Sequence, residues 1–315
     1  MVWSRWIALA LVLAAWTMAS AGAATIRHDS RHAAHYRIGE TFPSVGRVTV
    51  PGARASGVLI APDWVLTAGH VVDDVDALAL VYFGKHVYQA SAWVTHPGWD
   101  GGLLKGRDLA LIHLAEPVKD VAPSELHRGG DPRGAWSLSV GYGLTGNGRN
   151  GFHKSSLGAL GITNYIDQLG ANGLLMSDFD DPGRGGVGGL GSSVATAREG
   201  SIAPGDSGGG VFIRVDGERR LAGIHSFVWP RDGKFDSDYG DWYGSTSVSR
   251  HADWIDRVLA SDPSSLGPGG SSVSTGLGEF RLAATSLSTV PEPGTAVGLA
   301  VTLGLWTRRL RRRCR

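Results

Sequence analysis

One serine in this 315-residue chain has an unusual setting. Ser207 lies in "PGDSGGGVFI" (204–213), behind an aspartate and ahead of three glycines that lead into an apolar run. With side chains nearly absent around it, its backbone and hydroxyl are open to close approach. A serine hydroxyl is a weak nucleophile near neutral pH. It needs a base to accept its proton and donors to hold the oxyanion that forms when it attacks a carbonyl. Two distant stretches offer the missing side chains. "WVLTAGH" (64–70) puts His70 at the end of a strand-like run, just beyond small residues. "GRDLALIHL" (106–114) puts Asp108 at the head of an apolar one, where a partly buried carboxylate could hold an imidazole. Each residue has a plainer reading: the chain has eleven histidines, an aspartate can cap a strand, and a glycine-flanked serine is usually a turn. Together the three describe nucleophilic acyl transfer.

Bringing such groups together takes a framework, and from Val45 to Val248 that framework reads as strands. "VGRVTV", "SGVLI", "ALALVYF", "LALIHL", "GVFIRV" and "RRLAGIHSF" are short, rich in β-branched and aromatic residues, and bounded by Gly, Pro or Asp. "WSLSVGY" alternates, with Trp136, Leu138 and Val140 on one side. About a dozen such strands without intervening helices imply an all-β fold, either two antiparallel barrels or a large sandwich. A helical pattern comes only near the end, in "SRHADWIDRVL", where Ser249 could cap and Trp254, Ile255, Val258 and Leu259 could form the apolar face. "GDSGG" also satisfies the G-x-S-x-G elbow of α/β-hydrolases. That fold requires a helix directly after the serine, with the acid and histidine further on. Here Val211, Ile213 and Val215 alternate as in a strand, and no βα rhythm surrounds His225 or His251.

"LTAGH", "DLALI" and "GDSGG", in that order, resemble the three signature segments of trypsin-like (chymotrypsin-fold) serine peptidases. The resemblance implies two six-stranded antiparallel β-barrels with a C-terminal helix over residues 40–260, and an active site between the barrels. It implies that Ser207 attacks, His70 relays the proton and Asp108 orients the imidazole, with the backbone N–H groups of Gly205 and Ser207 as the oxyanion donors. Ser201 would lie at the base of the specificity pocket, with Ser226, Phe227 and Val228 along its wall. A neutral serine at the base offers no partner to a basic side chain, so cleavage after Lys or Arg is not expected. Asp206 would be linked to activation by a new N-terminal amine. A cut after Arg37 exposes a weak version of the usual start, and removal of a leader alone is the other route. A catalytically silent relative that binds surface or matrix partners is the competing expectation.

The two ends read as addresses. Residues 1–24 run from Arg5 through an apolar core to "ASAGAA", the pattern of a secretory signal with a cut after Ala21, Ala23 or Ala24; a membrane anchor is the alternative. Residues 25–39 follow as an N-terminal segment, and residues 261–290 form a Ser/Gly-rich linker. Residues 291–315 carry Pro291-Glu292-Pro293, an apolar run too short to span a membrane comfortably, and six arginines. This tail resembles the PEP-CTERM sorting signal. The resemblance implies recognition by an exosortase-type enzyme, transient membrane association and delivery to the surface of a Gram-negative cell or beyond; a plain tail anchor is the alternative. Seven of the 30 basic side chains lie in the two ends, so the part between is acidic on balance, which argues against nucleic acid as a partner. The single cysteine, Cys314, is in the tail, so the exported part holds no disulfide. No cofactor is expected. Clustered oxygens at Asp178, Asp180 and Asp181 could hold Ca2+, an acidic loop being the plainer reading. His28, His32 and His35 have a spacing that suggests metal, against a mobile segment.

Overall fold

The computed structural model describes residues 24–266, apart from 74, 76–78, 156–157 and 185–188, together with the segments 273–274 and 279–280. The expected leader up to residue 23, most of the linker and the sorting tail lie outside the described residues.

The chain enters through a short strand, β1 (Ala24–Ile26), and a helix, α1 (His32–Glu40). Six strands follow: β2 (Val45–Val50), β3 (Ala53–Ala61), β4 (Trp64–Thr67), β5 (Leu80–Phe83), β6 (His86–Thr95) and β7 (Ala110–Leu114). A single helical turn, α2 (Gly69–Val72), follows β4 almost directly. The six strands close into a barrel in the order β2-β3-β4-β7-β6-β5, antiparallel throughout. Their β-branched residues suit pleated positions facing inward. Val48, Val58, Val65, Leu66, Val81, Val94, Leu111 and Ile112 are fully buried, each contributing ~1.5–3 kcal/mol through lost apolar hydration.

The second half comprises β8 (Trp136–Gly141), β9 (Leu144–Asn147), β10 (Gly151–Ser155), β11 (Leu160–Tyr165), β12 (Gln168–Leu169), β13 (Leu174–Asp178), β14 (Gly200–Ser201), β15 (Gly210–Val215), β16 (Glu218–Trp229) and β17 (Trp242–Ser247). It departs from the expected second closed barrel. Seven strands form a curled half-barrel in the order β11-β8-β15-β16-β17-β13-β12, and β10-β9-β1-β14 make a separate sheet. The open edges are β11 and β12, and the chain leaves the seven-stranded sheet for the other between β8 and β9. There the N–H of Tyr142 is taken by Ser56 Oγ and that of Gly143 by Asp206 Oδ1, so neither is available to a neighbouring strand.

One apolar cluster runs through both halves, joining the barrel interior to Leu138, Val140, Phe212, Leu221 and Ile224 of the second sheet. The terminal helix α3 (Ala252–Leu259) adds Trp254, Ile255 and Val258 to it, the face that the sequence marks out. Its cap differs from expectation. Ser249 lies in a preceding 3-10 turn, its hydroxyl bonded to Ser247, and His251 holds the cap position without a side-chain bond. The segment read as mobile is also structured. Ala24–Ile26 pairs in parallel with β9 and antiparallel with β14.

Candidate active site

His70 and Asp108 are held together from the first barrel. Strand β4 is buried along its length, and α2 follows it after Ala68, so the backbone leaves a rigid wall immediately before the imidazole. Gly69 is closely packed here: a Cβ would lie 3.2 Å from Asp108 Oδ1 and from the Trp99 ring. Asp108 precedes β7 and is 0% exposed. Its Oδ1 accepts the backbone N–H of His70 at 2.9 Å, and its Oδ2 accepts His70 Nδ1 at 2.7 Å. A third donor comes from the other half of the molecule: Ser226 Oγ donates to Asp108 Oδ2 at 2.5 Å. The carboxylate thus assigns the ring proton to Nδ1 and leaves Nε2 as the basic nitrogen. Burial pulls the imidazole pKa down, but the charge and hydrogen bond of Asp108, with help from Asp73, hold it above its ordinary value.

Ser207 enters from the second half on a loop tied to both sides. Its carbonyl accepts the N–H of Ser56 at 2.8 Å, and the Ser56 hydroxyl donates to the carbonyl of Gly205 at 3.0 Å. Thr67 Oγ1, three residues before His70, donates to the Ser56 carbonyl at 2.8 Å. On the other side, Gly208 N–H donates to the carbonyl of His225, next to Ser226, at 2.9 Å. The Ser207 loop is thereby tied by one intermediary to β4, the strand that leads into the turn bearing His70, and by another to the donor of Asp108. Among the hydrogen bonds of the described residues there is none between Ser207 Oγ and the imidazole. Gly205 has φ +96° and Gly208 +83°, a region that side chains resist. At Gly208 a Cβ would also collide with Ser56 O and Thr67 Oγ1. Among the described residues the N–H groups of Gly205 and Ser207 have no acceptor.

Asp206, between them, is 1% exposed, and burial pushes its carboxyl up to about 7. Its Oδ1 accepts Gly143 N–H at 2.8 Å and its Oδ2 accepts Ala203 N–H at 2.9 Å; the N–H of Ala24, at the head of β1, points at it as well. Arg37 lies inside α1, downstream of that strand.

The residues assigned to the pocket are dispersed in role. Ser201 is buried in β14, opposite Thr25. Phe227 is packed where a Cβ on Gly244 would overlap its ring, and Val228 pairs with Tyr243. Ser226 is different. The pairing of β16 with β17 slips between His225 and Phe227, and this bulge aims the serine at Asp108. Its hydroxyl therefore serves the carboxylate, a role that its neighbours in sequence do not disclose. Asp178 is held by Leu190 N–H at 2.8 Å, and burial beside Asp167 pushes it up. Asp181 accepts Gly183 N–H. Among the described residues, the acidic side chains whose oxygens converge are instead Asp232, Asp238 and Asp241. The three N-terminal histidines go separate ways: His28 bonds Tyr239, His35 is buried between Ser30 and the carbonyl of Gly161, and His32 is exposed.

The strand that follows Ser207, where an α/β-hydrolase would have a helix, and the His70–Asp108 pair at the edge of a closed six-stranded barrel are features of one family. The family model described as Trypsin matches residues 33–255, and the chain belongs to this family of serine peptidases.

Proposed function

We propose that the chain is an exported serine endopeptidase that cuts peptide bonds through an acyl-enzyme on Ser207. His70 Nε2 takes the proton of Ser207 Oγ as it attacks the scissile carbonyl, then returns it to the leaving amine. Asp108 keeps the proton on Nδ1 and stabilises the imidazolium. The free N–H groups of Gly205 and Ser207 receive the oxyanion; a donor of this kind is typically worth ~100- to 1,000-fold in rate. The observation that carries the reading is the buried, triply donated Asp108 with His70 Nδ1 at 2.7 Å. Such a bond between nucleophile and base is often long or poorly aligned until substrate binds, so its absence among the described hydrogen bonds is compatible with this reading.

Maturation belongs to the same reading. The N–H of Ala24 already faces the buried carboxyl of Asp206, so removal of the leader after Ala23 turns it into an ammonium group beside a carboxylate. No second cut at Arg37 is then required. Ser201 at the pocket base favours uncharged side chains over Lys and Arg. The tail directs the enzyme to the cell surface through the sorting enzyme.

Covalent labelling with a fluorophosphonate tests the assignment. The processed chain should label, Ser207→Ala should not, and the labelled protein should begin at Ala24. A relative that binds without cutting would not label. Equal labelling of Ser207→Ala, or a labelled N-terminus at Ile38, would count against the reading.

A further inference from the structure

The loop 230–241 links the end of β16 to the start of β17, where Trp229 pairs with Trp242. It carries four aspartates, and three of them, from exposed Asp232 to buried Asp241, turn toward one another. One oxygen each from Asp232, Asp238 and Asp241 lies within 4.8 Å of the others. Two oxygens on opposite faces of a Ca2+ ion bound at ~2.4 Å are ~4.8 Å apart, so this spacing suits a single coordination shell of that size. A second observation concerns Asp241 alone. It is 1% exposed, its Oδ1 accepts the N–H of Arg231 at 2.8 Å, and its Oδ2, sealed from solvent, has no hydrogen-bond partner. A buried carboxylate oxygen without a donor is costly unless a cation reaches it.

The only cation paired within the cluster among the described ion pairs is the Lys234 ammonium, 2.9 Å from Asp232 Oδ2. It is a solvent-exposed side chain, which exchanges readily with water. The Arg231 guanidinium stacks 4.0 Å over the Trp242 ring. With four aspartates against Arg231 and Lys234, the loop holds more negative charge than its own side chains neutralise.

We propose that Asp232, Asp238 and Asp241 form a Ca2+ site, in which the ion displaces Lys234 from Asp232 and supplies the missing partner of Asp241 Oδ2. The site is well placed to matter. The Ser237 carbonyl accepts Thr25 Oγ1 at 2.7 Å, and Tyr239 bonds His28 through its hydroxyl at 2.7 Å. The loop therefore clasps the N-terminal strand whose first residue faces Asp206. Calcium bound here fixes that clasp and the far end of the strand bearing Ser226.

Terbium, excited through the flanking tryptophans, tests the site in the full processed chain carrying Ser207→Ala, which removes self-digestion. Saturable emission that Ca2+ displaces is expected, and millimolar Ca2+ should raise the unfolding temperature relative to EDTA. Asp238→Asn and Asp241→Asn should each weaken terbium binding at least ~10-fold by removing a ligand charge. Lys234→Ala should bind as tightly or more tightly, and Asp178→Asn should bind like the parent. Should Asp241→Asn fail to fold by circular dichroism, the exposed Asp232→Asn replaces it. The proposal is overturned by an unfolding temperature that ignores Ca2+, or by terbium emission that survives Asp238→Asn unchanged.

Discussion

Replacing Ser226 with alanine is the sharpest perturbation of the proposed machinery that spares its three principal side chains. Asp108 is fully buried and accepts three hydrogen bonds, two from His70 and one, the shortest, from Ser226. Ser226→Ala removes the 2.5 Å bond and leaves part of a buried carboxylate without a donor. For a charged acceptor this costs about 1.5–3 kcal/mol. In a folded unit of this size, ~1 kcal/mol corresponds to about 2–4 °C, so unfolding should come roughly 3–12 °C earlier. The second consequence is electrostatic. With one donor gone, Asp108 presents a less satisfied charge to the imidazole, which favours the imidazolium. The His70 pKa, already held above its ordinary value, should rise further. The acid limb of kcat/KM should then move to higher pH, and the rate at neutral pH should fall on the order of 10-fold. Thermal denaturation and a pH–rate profile on a peptide substrate read both effects. An unchanged pH profile together with an unchanged unfolding temperature would refute the claim that Ser226 acts through Asp108.

Other expectations follow from single contacts. Gly208→Ala forces a Cβ into Ser56 O and Thr67 Oγ1 at φ +83°, so it should destabilise by about 2–4 kcal/mol in thermal unfolding. Gly217→Ala has a similar φ of +85° with open space around it, and should cost only ~1–2 kcal/mol. In the parent enzyme, kcat/KM should rise with pH through a midpoint above ~6.5, because the base must be neutral and its pKa is raised; a lower midpoint would contradict the Asp108 pairing. The same raised pKa favours the protonated fold. The contribution of the pair to stability is therefore full below the unfolded pKa of histidine and is lost as pH climbs through the folded one. Asp206 gives a sign that distinguishes precursor from mature chain. With Ala24 as an amide, its carboxyl sits at about 7, so stability should fall as pH rises through that value. A free amine at Ala24 should pull the carboxyl down and remove that fall, as urea unfolding at several pH values would reveal.

Much of the chemistry is legible in the sequence because it resides in contiguous words. His70, Asp108 and Ser207 each sit beside small residues or at a strand end, and the terminal helix shows its face through Trp254, Ile255 and Val258. What stays hidden depends on contacts between distant segments. Strand β1 has three residues and no pattern of its own; its partners lie more than a hundred residues away. Helix α1 buries only His35 and Gly39 and has no side-chain cap, so "HAAHYRIGE" carries almost no periodic signal. Gly39 packs against the backbone at Ala159, which only the fold brings near. The passage from one sheet to the other after β8 is marked by two backbone N–H groups going to Ser56 and Asp206, a local event with no compositional trace. The contact of Ser226 with Asp108 is hidden for a related reason, since a bulge decides which way its hydroxyl points.

Ser56 shows why the fold, and not just the three side chains, decides whether such a site can work. This single buried residue of β3 receives Tyr142 N–H and Thr67 Oγ1, and gives its N–H to Ser207 and its hydroxyl proton to Gly205. It therefore fixes the backbone on either side of the proposed oxyanion donors while touching Thr67, the last residue of the strand that leads to His70. Asp108 makes the reciprocal link, drawing two bonds from the first barrel and one from the second half. A shift of one half against the other would strain both links at once. Catalytic geometry tolerates errors of only about an ångström before the rate suffers. The apolar core that runs unbroken beneath the seam thus supports the proposed site, because close packing across both halves opposes that shift.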